Sequence, residues 1–282
     1  MTENKLNLSK VFQYLLMILI AVIMFFPFVW IFSSSLKSVL QINQYPPSII
    51  PKDPKWENYT VILGDPVFWK FVRNTIILII GNTVGTILSS SLVAYPLARM
   101  NFRGKNFIFG LIIATMMVPA ITLITPQYLM FSSFGWLDTL LPMIVPAFFA
   151  YPYNVFLFRQ FFRSIPMSID EAANIDGCNK LEVFVRILLP LSKSIVITIG
   201  VLSAVFWWNE LLQPLIYVNN NEWKTLTIGM MTRYRYFGSS LNIVAWDLLM
   251  ACATIMIIPP ILLYLTGSKY LVEGIKTSGM KD

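Results

Sequence analysis

The sequence predicts an all-α integral membrane protein with six spanning helices, on three observations. Charged residues make up only 12% of the 282 positions and hydrophobic ones 56%, with a mean hydropathy of +0.67. A soluble domain carries about 25% charged residues, so this chain lacks the polar surface that a water-exposed globule needs. Six apolar runs, 11–35, 71–98, 107–128, 140–162, 194–217 and 243–266, reach the roughly 20 residues that a helix needs to cross a bilayer. Basic residues gather at the ends of those runs, as membrane orientation requires. That placement turns the net charge of +7 away from nucleic acid and towards lipid.

The first run comes after Lys5 and Lys10, and its apolar core extends from Val11 to Phe32. A secretory signal has a core of roughly 7–15 residues and a small-residue cleavage site. Neither fits, so the run reads as a retained span within a first segment of residues 1–35. Residues 36–70 form an extracytoplasmic loop in which "YPPSIIPKDPKW" keeps the backbone extended. Between the second and third runs stand Arg99, Arg103 and Lys105, whereas residues 131–140 hold no Lys or Arg. The positive-inside rule puts the first of these turns in the cytoplasm and the second outside. Six spans then place both termini in the cytoplasm, with Lys269, Lys276 and Lys281 in a tail of residues 267–282. Within the core of residues 71–266, the loop 163–193 is cytoplasmic and the loop 218–242 is outside.

The loop 163–193 is unusual for its charge. "EAANIDGCNKLEVFVRILLP", residues 171–190, carries Glu171, Asp176, Lys180, Glu182 and Arg186. Ser168 and Glu171 match the capping box S-x-x-E, and Asp170 adds negative charge where a helix dipole favours it. Gly177 suits the left-handed position that stops a helix. These signals predict a helix of about two turns over 169–176, too short to be stable alone in water. Beyond it, Leu181, Phe184, Val185, Leu188 and Leu189 recur at helical spacing, predicting an amphipathic helix against the bundle that ends at Pro190. Ala172 and Ala173 are small enough to let a partner approach closely. Capping alone equally fits a plain cytoplasmic turn.

The spacing E-A-A-x3-G-x9-I-x-L-P, met at Glu171, Ala172, Ala173, Gly177, Ile187, Leu189 and Pro190, resembles the signature loop of ABC-importer permease subunits. "FPFVWIFSSSLKS", "AYPLARMNFRGKN", "TLTIGM", "PPILLY" and "KYLVEGIKTSGMK" resemble the carbohydrate-uptake, MalG-like branch across nearly the whole chain. Ser278 departs from it, standing where that family's tail has glycine. The resemblance implies a type I ABC importer permease fold and makes the charged segment a coupling helix. Its docking residues, carried over by position, are Glu171, Ala172, Ala173, Asp176 and Gly177. Implied partners are a homologous second permease, two ATP-binding subunits that use ATP and Mg, an extracytoplasmic solute-binding protein and a carbohydrate. In that family the last outer loop enters the binding protein's cleft, and here Tyr234, Arg235 and Tyr236 are the candidate probes. Capping of the bundle is the other reading of this loop.

Several residues carry alternatives. "WWNELLQP" sets Asn209, Glu210 and Gln213 near the outer part of the fifth run, where an intramembrane ionisable group marks a solute pathway by default. A hydrogen-bonded interfacial cluster with belt tryptophans fits as well. Asn82, Thr122, Thr125, Gln127 and Asn154 are weaker pathway candidates. Gly81 and Gly85 form a G-x-x-x-G that suits either a partner permease or packing within the bundle. The prolines at 119, 126, 142, 146 and 152 free backbone carbonyls, which must face protein or a wet cavity.

The chain has no histidine and only two cysteines, so no metal set, catalytic base or disulfide framework is expected. No phosphate-binding G-x-x-x-x-G-K-[ST] occurs. The expected protein is therefore neither an enzyme nor a cofactor binder. A secondary transporter is the competing function, but it needs ion ligands near the bilayer midplane. The acids within the runs, Glu210 and Asp247, both lie towards outer ends.

Overall fold

The computed structural model describes residues 8–238 and 243–279; Lys5, Ser239, Ser240 and Lys281 lie outside the described residues. No strand occurs among the described residues. The helices that matter here are α1 (Leu8–Ser35), α2 (Glu57–Leu63), α3 (Pro66–Arg99), α4 (Lys105–Thr115), α5 (Ile124–Ser133) and α6 (Pro152–Ser164). They continue with α7 (Ser168–Ile175), α8 (Lys193–Asn209), α9 (Leu212–Tyr217), α10 (Leu226–Tyr234) and α11 (Trp246–Gly279). Four helical stretches are long and apolar enough to cross a membrane, and two sharply bent pairs raise the number to six if each is one span. Contacts divide the chain into one unit of Met1–Phe68 with Met230–Pro259 and a second of Trp69–Gly229 with Pro260–Asp282.

The second unit is organised on α3. Its Gly81 and Gly85 face the segment 141–149: a Cβ at Gly81 would lie 3.0 Å from Ile144, and one at Gly85 2.7 Å from the Phe148 ring. The G-x-x-x-G therefore packs within the bundle, the second of its two readings. Prolines 142 and 146 make this facing segment irregular, and it ends in a 3-10 turn over Val145–Phe149. Its loose carbonyls are taken up by α3. Asn82 Nδ2 donates to the Met143 carbonyl at 2.9 Å, and Ser89 Oγ donates to that of Ala147 at 2.8 Å. Buried carbonyls left unpaired in hydrocarbon would each cost several kcal/mol.

Two predicted spans are not straight. The run 107–128 is α4 and then, across a break, residues 120–133 at 85°. Pro119 has φ −61° and ψ 126°, and a proline both lacks the amide donor and holds its predecessor out of the helical region. The run 194–217 likewise divides into α8 and α9 at Glu210. Pro214 cannot donate to the Glu210 carbonyl four residues back, and that carbonyl accepts the Thr227 hydroxyl at 2.7 Å instead. Residues 180–191 meet α8 at 71°. The tail read as a separate segment from 267 continues α11 as helix to Gly279.

The first unit contains α1, whose apolar stretch has no buried residue, and the proline-rich loop, which has no helix over 45–56. Lys37 is buried in that loop, donating to the Ser48 carbonyl at 2.5 Å above the Trp30 ring, and burial lowers its pKa. Asp65 accepts from Arg233 Nε at 3.0 Å and from the Tyr234 hydroxyl at 2.9 Å. Burial raises the Asp65 pKa, but the Val67 amide, Arg233 and Tyr234 outweigh it and hold the carboxyl below its usual range.

Gly85→Val should lower the stability of the purified chain by about 1–3 kcal/mol, because a Cβ there displaces the Phe148 ring and also comes within 3.2 Å of the fully buried Ala147 Cβ. Gly110 in α4 has open space around it, so Gly110→Ala should be neutral or stabilise by up to about 1 kcal/mol. Thermal unfolding in one detergent compares the two. Equal effects would disprove the packing assigned to Gly85.

Candidate functional site

The helix α7 begins one residue earlier than expected, and Ser168 does not cap it. Met167 occupies the N-cap position with no side-chain hydrogen bond. The capping box belongs instead to the next helix, where Asn179 Oδ1 accepts from the Glu182 amide at 3.0 Å and Glu182 Oε2 from the Asn179 amide at 2.9 Å. What fixes the start of α7 is a charge from another helix. Arg99, the last residue of α3, pairs with Asp170 at 2.9 Å, with side chains only 3% and 11% exposed. Its guanidinium also donates to the Ile165 carbonyl at 2.8 Å. One cation thus holds both the chain entering α7 and its first turn. The sequence showed Arg99 only as an inside charge; nothing in the spacing linked it to Asp170.

The end of α7 agrees with the expectation. Gly177 has φ +84°; the Gly177 amide donates to Asn174 at 3.1 Å and the Cys178 amide to Ala173 at 3.0 Å. These are the two bonds of a Schellman stop, which needs a residue comfortable in the left-handed region. Ala173, expected to face a partner, is 4% exposed and belongs to a core with Tyr95, Phe162, Phe184 and Leu188. Its small size lets α7 seat on its own bundle. Glu171, Ala172, Asp176 and Gly177 are exposed, and so is Ile175, at 87%. An apolar side chain so fully offered on a charged helix was missed, since Ile175 lies outside the motif.

The bracing helix differs from its predicted face. Residues Val183–Leu188 form a π-helical turn, which takes one extra residue and rotates the helix beyond it. Val183, Phe184 and Leu188 are buried, while Leu181 and Val185, expected inside, are 63% and 49% exposed. Helix continues through Pro190 to Leu191 rather than ending there.

Further along the second unit, Glu210 and Gln213 come together with Gln127, Tyr151 and Tyr217 around a cavity of about 330 Å³, walled also by Phe131 and Phe206. Glu210 Oε1 accepts from the Gln213 amide at 2.9 Å. Asn209 is exposed and donates to the Val205 carbonyl of its own helix, outside this lining. Asn82 is buried with its amide committed to Met143, and Thr122 donates locally to Pro119; Thr125 and Asn154 do not line the cavity. Gln127, the weaker candidate, does.

The outer-loop probes separate. Tyr234 is fully buried, its hydroxyl bound to Asp65, and burial with the Asp65 charge raises its pKa; it cannot reach a partner. Arg235 and Tyr236 remain exposed, with the guanidinium carbon 5.2 Å from the ring. Among the described residues no group of three His, Cys, Asp or Glu could hold a metal.

Comparison with known proteins agrees with this architecture. The chain is 32% identical over 234 residues to the arabinooligosaccharides transport system permease protein AraQ of Bacillus subtilis (strain 168), covering 83% of this chain and 81% of that one. It is 31% identical over 274 residues to the probable ABC transporter permease protein YurM of the same organism, covering 97% and 88%. A crystal structure of a bacterial ABC transporter that imports the acidic polysaccharide alginate contains a chain that superposes with a TM-score of 0.82 at 25% identity, over 96% of this chain and 99% of that one. Residues 81–277 match the family described as binding-protein-dependent transport system inner membrane component. A multi-pass helical transport permease rather than an enzyme, this chain belongs to that family.

Proposed function

We propose that this chain is the membrane-spanning permease subunit of an ATP-driven importer for a carbohydrate, coupled to its motor through α7. The observation that carries this is the mounting of α7. It is clamped at its first turn by Arg99, stopped at Gly177 and seated on Ala173, yet it presents Glu171, Ala172, Ile175 and Asp176 outward. A two-turn helix held this firmly transmits a push to α3 rather than absorbing it. The motor is a pair of ATP-binding subunits that hold ATP and Mg; this chain binds no cofactor. A homologous second permease completes the pathway, and an extracytoplasmic solute-binding protein delivers the solute against Arg235 and Tyr236.

The cavity at Glu210, Gln213 and Gln127 is this chain's share of the pathway. Amides, tyrosyl hydroxyls and aromatic walls suit a polar ring-bearing solute. The oligosaccharide and polysaccharide named for AraQ and for the alginate importer support a carbohydrate. Both termini and α7 lie in the cytoplasm, in keeping with the positive charge at Arg99, Arg103 and Lys105.

Gly177→Val tests the coupling. A residue with a Cβ loses about 1–2 kcal/mol in the left-handed conformation, and no atom lies near enough to clash, so the effect is confined to the stop of α7. Membrane abundance should hold while co-purification of the ATPase and solute uptake fall together. Arg99→Met should do the same more severely, since breaking one side of a buried pair costs about 3–5 kcal/mol. If both variants reach the membrane, retain the ATPase and transport normally, α7 is only a turn.

Sidedness is checked at Cys178, half-buried beside Gly177. In a Cys252→Ser background, an impermeant maleimide should label it in inverted vesicles and not in intact cells. Labelling from outside would reverse the topology.

A further inference from the structure

We propose that the α7 end of the second unit holds one anionic phospholipid, with its headgroup phosphate on Lys105, Arg159 and Arg163 and an acyl chain in the groove between α4 and α6. This goes beyond the coupling function and shares with it only the assignment of that end to the cytoplasmic leaflet.

The cations come first. Arg159 is 7% exposed, and its Nε donates to the Leu97 carbonyl at 3.1 Å. Its guanidinium carbon lies 3.8 Å from the centre of the Phe109 ring. Among the described residues no group accepts from its two terminal nitrogens. Lys105 reaches the Met100 carbonyl at 2.8 Å, and Arg163 stands one turn beyond Arg159, exposed in the last turn of α6. The charges of Arg159 and Arg163 act on Lys105, and that of Arg163 on Arg159. None of the three belongs to an ion pair among the described residues, and Asp170 is taken by Arg99. Hydrated basic residues at the mouth of a span are ordinary. An arginine with its stem buried, its Nε held by Leu97 and its two terminal nitrogens unpartnered and still accessible beside two like charges is not, because those nitrogens are open to an anion.

The second observation is the groove. Between α4 and α6, one to two turns deeper, a cavity of about 500 Å³ is lined by Val93, Leu111, Ile112, Phe149 and Val155, with Thr115 its one polar side chain, whose hydroxyl is turned to the Ile112 carbonyl. Val155 is one turn from Arg159 along α6, and Ile112 is seven residues from Lys105 along α4, roughly 10 Å at 1.5 Å per residue. Phe109 and Phe156, stacked at 6.4 Å, lie between the two ends. Three cations at one end and a hydrocarbon slot at the other match an anionic headgroup with its chain, the arrangement by which basic pockets between helices take such lipids.

The test uses the full chain with the subunits that co-purify, in detergent, read by native mass spectrometry. Palmitoyl-oleoyl phosphatidylglycerol should be retained at least tenfold over phosphatidylcholine with the same chains. Arg163→Gln with Lys105→Gln should cut that retention by about tenfold, with the unfolding temperature unchanged because neither side chain is in the core. Leu111→Trp should lower it too, by filling the groove with the cations intact. Inorganic phosphate in large excess should not displace the lipid. Equal retention of the two lipids, or no loss in the charge variant, overturns the proposal. Displacement by inorganic phosphate would make this a phosphate site, and a photo-cross-link from position 111 to another permease would make the groove a subunit contact; either also overturns it. ATPase co-purification enters none of these readouts, so failure here leaves the coupling function standing.

Discussion

The ion pair between Arg99 and Asp170 is the constraint on which the mounting of α7 rests. A helix of eight residues has too few hydrogen bonds to persist alone in water, so α7 exists because something outside it holds its shape. Arg99 does this from the end of the longest helix of the second unit. Its charge meets Asp170 where the helix dipole already favours a carboxylate, and the same guanidinium takes the Ile165 carbonyl just before the helix begins. The partners are buried, so the contact is weakly screened by salt. Removing either one would leave the other charged and dry. The rest of the mounting depends on this seat: Ala173 is small because it lies on the bundle, and Gly177 is glycine because the chain must turn back at once.

The same principle governs the interior. Prolines break three of the apolar runs, and each break exposes carbonyls that hydrocarbon cannot satisfy. Polar side chains answer them one by one: Asn82 and Ser89 for the irregular segment at 141–149, Thr227 for the carbonyl stranded by Pro214. The bends therefore persist as fixed geometry, and the Glu210 cavity lies beside all three. Outside the bundle, Asp138 adds a similar pin, accepting the amides of Asn219 and Asn220 at 2.6 and 2.9 Å.

Much of this was legible in the residues, and the remainder has identifiable causes. Run length gave the apolar segments, because those depend on composition over about 20 residues. The stop at Gly177 was legible because only a local backbone conformation was at stake. The burial of Ala173 and Tyr234 was not: each is decided by a residue far away in sequence, the α3 face for one and Asp65 for the other. The capping box was misplaced for a subtler reason. Ser168 and Asn179 both precede a glutamate by three, and the Arg99 clamp, invisible to local pattern, fixed the first helix without a cap. Leu181 and Val185 were assigned inward on an α-helical period that the chain abandons at Val183.

That abandoned period has a mechanical consequence. The turn at Val183–Leu188 contains one residue more than an α-helix would use over the same rise, immediately before the 71° elbow into α8. Tightening it to regular α would lengthen the strut by about 1.5 Å and twist everything beyond it by about 100°. The polypeptide between α7 and α8 thus stores slack as a spare notch in a thread. The extra residue sets the direction from which the chain enters the elbow, with no glycine between Asn179 and Lys193.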